Sequence, residues 1–546
     1  MAQATGEAGP KGTFDVVFRN ATVVDGSGAP ARAGDVGVTG EAIATISAPR
    51  SLEGRRTIDA TGKVVSPGFV DIHSHGDYTL LLDGRAHSSV LQGITSIVIG
   101  NCGHGIAPVT KRSADLIPMN IPGWMKEGEL PVSWRSFRDY LNLMRDRGVG
   151  ANVYPLVAHG ALRLAVSGFS SRALDRKEIV QMRDEVAAAM SDGAIGMSSG
   201  LEYAPGIAAD TEELAEVAAG MRATGGVYAT HCRNRSDTMD KAAEEAVAIA
   251  RRGGARLQLS HYVRRPYAAD DVVARAWRIL DDAERDGTAV RCDVFPFDYG
   301  PTPLAVLIPQ SLRDGTRADV AARLKDPITR KQILDGMGGM FEAAVKHGLV
   351  DSMYVAADGC DGELVGKSLA EVATIAHLPV TEAAIWLLER AGENFYTVTI
   401  VENWVRWAHL QEALADPRFF LMGDGVTSCL DGPLARACFS LSDWGYAPRF
   451  LSQFVRDERL VPLEAAIERM TSAPARQIGL TDRGRIAPGM KADLVLFDLD
   501  AIASDVQPNE LFRVPKGIES VLVNGTFVVD GARHTDARPG SVGLKR

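Results

Sequence analysis

Nowhere does the chain hold an apolar run long enough to cross a bilayer, which argues against a membrane partner. The opening stretch, Met1 to Phe14, is rich in Gly and Ala and lacks a signal peptide's apolar core, so residues 1–13 read as a flexible tail. Cysteine is scarce: Cys102, Cys232, Cys292, Cys360, Cys429 and Cys438 are six in 546 residues and show no paired spacing. A chain this large has no need of disulfide staples, and a reducing, cytoplasmic setting is the default. Surplus positive charge is missing too. With 59 basic residues against 69 acidic ones the formal charge is −10, which argues against nucleic acid and leaves a small molecule as the expected partner. A homo-oligomer is compatible with this composition. No low-complexity tract and no internal repeat mark the long stretch from Tyr299 to Ala415.

What is present is ordinary globular material, 46% hydrophobic and 23% charged, enough for one large domain with smaller attachments. From Phe14 to Val65 short β-like runs alternate with turns. The same texture returns near the other end, where Asn524-Gly525 carries a type I′ hairpin signal. The segment Phe18-Arg-Asn-Ala-Thr-Val-Val-Asp-Gly mirrors Leu522-Val-Asn-Gly-Thr-Phe-Val-Val-Asp-Gly. Residues 14–65 and 484–546 are therefore expected to pair into one small β-domain, with residues 66–483 inserted between them.

That inserted part alternates apolar runs with helical patterns. Phe69–Ile72, Thr95–Gly100, Ala151–Ala158, Gly193–Met197, Gly226–Thr230, Ala255–Ser260, Ala289–Phe295 and Phe419–Gly423 read as strands. Eight βα units predict an α/β fold of the TIM (β/α)8 type, whose chemistry collects at the C-terminal strand ends. Residues 299–415 are too long for a βα connection and predict an inserted subdomain or lid.

The strand ends carry a consistent set of side chains. His73 and His75 follow the first strand two residues apart, a spacing that in extended chain puts both rings on one side. Cys102 follows the second, His231 the fifth, His261 the sixth and Asp424 the last. Such a set can hold two divalent ions, and imidazole with thiolate favours Zn2+. His104, beside Cys102, is equally compatible with an ordinary loop histidine.

The motifs Val65-Ser-Pro-Gly-Phe-Val-Asp-Ile-His-Ser-His, Gly100-Asn-Cys-Gly, Gly196-Met-Ser-Ser-Gly-Leu-Glu-Tyr, Thr230-His-Cys-Arg, Ser260-His and Gly423-Asp-Gly resemble the amidohydrolase superfamily. Within it they resemble the N-acyl-D-amino-acid deacylases, or D-aminoacylases, over nearly the whole chain. The resemblance implies that Cys102, His231 and His261 hold one tight zinc, while His73, His75 and Asp424 form a second position that is weaker or vacant. It also implies hydrolysis of an N-acyl amide. Zinc lowers the pKa of bound water and polarises the carbonyl, and Asp424 relays the proton to the leaving nitrogen.

Tyr203 and His159 match family positions at the substrate side. Where the family usually carries a carboxylate-binding lysine, two residues after the sixth-strand histidine, this chain has Val263, so Arg264 and Arg265 become the candidates for that task. Two other readings compete: a cyclic-amide or dipeptide hydrolase on the same metal site, and a catalytically silent interaction protein. The absence of a lysine at the strand ends speaks against the first, and the complete ligand set against the second.

Overall fold

A computed structural model describes residues 14–121, 131–336 and 348–544; the expected tail, residues 1–13, lies outside them. Eight parallel strands stand side by side in chain order: Phe69–Asp71, Ile94–Ile99, Asn152–Ala158, Gly196–Gly200, Val227–His231, Arg256–Leu259, Val290–Val294 and Phe419–Leu421. Their residues are almost all buried, as a parallel sheet covered on both faces requires. The ring closes just past the strand ends. The Asp424 N–H donates to the His73 carbonyl at 2.8 Å, and the His75 N–H to the Gly425 carbonyl at 2.7 Å. Closure and ligand placement are thus one structural event.

The outer helices Arg176–Asp192, Thr211–Ala218, Met239–Gly253 and Asp270–Arg285 lie between successive barrel strands, as the alternating pattern predicts. Their buried residues, such as Met182, Val186 and Met190 on the first, recur at helical intervals. The fourth barrel strand begins at Gly196, not Gly193, because Gly193 takes φ 118° to cap the preceding helix.

Strands from both chain ends share a nine-stranded sheet, joined where Val64–Pro67 pairs antiparallel with Leu494–Phe497. Asn524 and Gly525 turn its hairpin with φ of 48° and 77°, the left-handed pair a type I′ turn needs. The insertion builds a sheet of Tyr299–Pro303, Thr399–Asn403 and Tyr354–Ala357 around a core of its own that includes Val320, Ile385, Leu388 and Ile400. Helix Trp407–Ala415 instead buries Leu410 and Leu414 against the barrel, so the separate core ends before it.

Candidate metal centre and active site

All six expected ligands meet at the C-terminal mouth of the barrel. His73 Nε2 lies 3.2 Å from Cys102 Sγ and 3.2 Å from Asp424 Oδ1, and His75 Nε2 lies 3.1 Å from the same Asp424 oxygen. Cys102 Sγ is 4.0 Å from His231 Nδ1 and 3.6 Å from His261 Nε2, which are 3.0 Å apart. Two groups result, His73–His75–Cys102–Asp424 and Cys102–His231–His261, with Cys102 common to both. His73 and His75 lie beyond the strand itself, which ends at Asp71, yet their rings converge on one carboxylate oxygen.

The backbone is strained to do this. Cys102, His261 and Asp424 have φ of 52°, 36° and 47°, a left-handed region that non-glycine residues seldom adopt. Neighbouring carboxylates hold the candidate ligands in place. Asp71 accepts from the His73 and Gly423 N–H groups at 3.1 and 3.0 Å. Asp293 accepts from the His261 N–H at 2.6 Å and stands 3.4 Å from His73 Nδ1. Glu202 takes His231 Nε2 at 2.5 Å, leaving Nδ1 to face the cluster. Asp293 and Asp71 were not among the expected site residues; the one available signal was an aspartate at or near the C-terminal end of a barrel strand.

The donor set suits a divalent cation. Burial resists ionisation of the Cys102 thiol, but His73, His231 and His261 overcome it and hold the thiol well below its usual pKa. Asp424 is likewise held well below the carboxylate range against burial, chiefly by His73 and His75. A buried thiolate and carboxylate ringed by four imidazoles are the chemistry that zinc and similar ions select. Another histidine pair, His87 and His534 with Asp536, also clusters. There the His534 Nδ1 already accepts the Asp536 N–H at 2.7 Å and Arg85 lies 3.2 Å from the Asp536 carboxylate, so its donors are engaged.

A narrow cavity opens over the ligands. It is lined by His231, His261, Asp424, Tyr203, Arg235 and Arg265 of the barrel together with Thr302, Glu402 and Trp404 of the inserted segment. Tyr203 packs between His104 and His231, with ring centroids 4.9 and 4.4 Å away. Burial pushes the His104 pKa down to about 3, leaving a neutral ring that meets the Asn120 carbonyl at 3.0 Å. Arg235 donates to the His261 carbonyl at 2.8 Å and lies 5.7 Å from the ring of Trp404, which also lines the site.

Two expected substrate residues lie elsewhere. Arg264 turns outward, donating to the Ala268 carbonyl at 2.6 Å and pairing with Asp270 at 2.6 Å, in a groove between outer helices. His159 is fully buried and spends Nε2 on Glu213 at 3.0 Å, beside Arg163. Both corrections have one cause. Beyond the strand end the chain turns, so Arg265 and not its neighbour faces inward, and a helix beginning at His159 carries that ring into the wall.

A profile of the Amidohydrolase family matches residues 56–529. The chain is 33% identical to an N-acyl-D-aspartate deacylase of Alcaligenes xylosoxydans xylosoxydans, with 97% of this chain and 94% of that protein covered. It is 31% identical to a D-aminoacylase of the same organism, with 97% of each covered. Among solved structures it resembles an N-acyl-D-glutamate deacylase from Bordetella bronchiseptica, complexed with zinc and a phosphonate mimic of the tetrahedral intermediate. That likeness has a TM-score of 0.80 at 28% identity and covers 98% of this chain and 100% of the other.

Proposed function

The chain belongs to the amidohydrolase family, and from that premise we propose that it is a zinc-dependent deacylase releasing a carboxylate and a free D-amino acid from N-acyl-D-amino acids. The observation that carries the reading is the sharing of Cys102 between two ligand groups directly under a cavity that also holds two arginines. Cys102, His231 and His261 would hold the tighter ion and His73, His75 and Asp424 the second. When bound, such an ion polarises an amide carbonyl and makes water a stronger nucleophile near neutral pH.

The chain's own residues do the rest. Asp424 takes the proton of the attacking water and returns it to the departing nitrogen, while His73 and His75 fix the direction of its carboxylate. Tyr203, whose phenol burial holds well above its usual pKa, stays protonated and donates toward the carbonyl oxygen as charge develops there. Arg265, buried in the cavity wall, binds the substrate's α-carboxylate. Glu202 and Asp293 keep His231, His261 and His73 in register. Unpaired cysteines agree with a cytoplasmic setting. No single helix among the described residues is long and apolar enough to cross a membrane.

The test is a substrate panel. N-acetyl-D-amino acids, their L enantiomers, a dipeptide and a hydantoin are incubated with the zinc-loaded enzyme and released amine is measured. Amine from the D series supports the reading. Ring opening of the hydantoin with no amine from the D series would replace it with the cyclic-amide alternative.

A further inference from the structure

Glu402 is the unusual group in the cavity. It sits on strand Thr399–Asn403 of the inserted sheet, is 4% exposed, and lines the cavity together with the barrel residues. Thr302 donates to one of its oxygens at 2.9 Å. The Arg265 guanidinium stands 3.9 Å from that oxygen, an ion pair looser than a hydrogen bond. Glu202 stands 3.8 Å from Arg235 and is hydrogen-bonded to His231. The cavity lining itself holds two guanidinium groups, Arg235 and Arg265, and two carboxylates, Glu402 and Asp424, of which Asp424 is already engaged by His73 and His75.

An N-acyl amino acid brings one carboxylate of its own. Burial pushes the Glu402 pKa up and Arg265 does most to oppose it. Once the substrate carboxylate engages Arg265, the ionised form of Glu402 has to share that cation and is costly to keep unless a further positive charge pairs with it. A positively charged substrate side chain would restore the balance, a neutral one would not, and an acidic one would add a second like charge. We infer that Glu402 makes this enzyme prefer N-acyl-D-amino acids with basic side chains and reject acidic ones. The inference rests on the deacylase reading and adds a substrate class to it. It also separates this chain from the aspartate and glutamate deacylases that it resembles.

The experiment compares kcat/KM of the zinc-loaded enzyme for N-acetyl-D-arginine, N-acetyl-D-methionine and N-acetyl-D-glutamate, in the natural chain and in Glu402→Gln and Glu402→Asp. The natural chain should rank arginine first and glutamate last, with at least a tenfold gap between them. Glu402→Gln should narrow that gap at least tenfold, and Glu402→Asp, which keeps the charge, should retain it. Equal melting temperatures exclude a folding defect as the cause. If glutamate is the best substrate, or the ranking is unmoved in Glu402→Gln, the inference falls while the deacylase reading stands. If none of the three is hydrolysed, both fall together.

Discussion

Replacing Glu202 probes how much of the metal affinity comes from outside the ligand set. Its Oε2 meets His231 Nε2 at 2.5 Å, so the imidazole has a fixed tautomer and presents Nδ1 to Cys102 and His261. Burial opposes ionisation of this carboxyl, but the His231 hydrogen bond outweighs it and brings the pKa to about 2, so the group is anionic at every working pH. Losing such a partner typically weakens metal binding about 10–100-fold, or about 1.4–2.7 kcal/mol. Glu202→Gln keeps an acceptor but not the charge and should fall at the tenfold end. Glu202→Ala removes both and should approach the hundredfold end. Competition against a chromophoric zinc chelator reads the dissociation constant directly. If all three proteins yield the same constant, the orienting role assigned to Glu202 is wrong.

Asp424→Asn should retain the fold and one tightly held ion yet lose about 10²–10⁴ in kcat, measured by amine release; near-native turnover would remove Asp424 from proton transfer. Because Cys102 belongs to both ligand groups, Cys102→Ala should lower total metal content more than His75→Ala does, a comparison made by elemental analysis after dialysis. Burial, with His87 alongside, holds His534 at about pKa 4 against 6.5 for a free histidine. It folds neutral, so its contribution is complete above pH 6.5 and is lost as pH falls toward 4, with a slope of up to about 1.4 kcal/mol per pH unit. Melting curves across that range should be shallower for His534→Gln, and identical slopes would show that the ring is not held neutral.

The parts of the architecture set by local pattern were legible in the chain. Apolar runs of strand length, helical periodicity and the Asn524-Gly525 turn each depend on near neighbours, and the barrel and the sheet from both chain ends followed from them. So did the convergence of the candidate ligands, because residues just past parallel strands gather at one mouth. What was hidden depends on distant partners. The fourth strand runs on through Ser198, Ser199 and Gly200, a polar stretch that looks like a turn until Ser199 meets Tyr228 at 2.6 Å and Thr230 at 2.8 Å. His159 resembles a site residue until Glu213, 54 positions on, claims it. Arg264 and Arg265 are indistinguishable until the turn after His261 sends them to opposite sides. Glu402 sits at the far end of the insertion, and nothing near it in sequence points to the active site.

The central claim is that this Cys102-centred site, once metal-loaded, hydrolyses N-acyl-D-amino acids. The most direct measurement follows amine release from N-acetyl-D-methionine and N-acetyl-L-methionine by one enzyme sample, first stripped with chelator and then titrated with zinc. The account predicts no turnover of either enantiomer in the stripped sample and a zinc-dependent return of activity on the D enantiomer alone. Equal rates on both enantiomers, or activity indifferent to zinc, would contradict it.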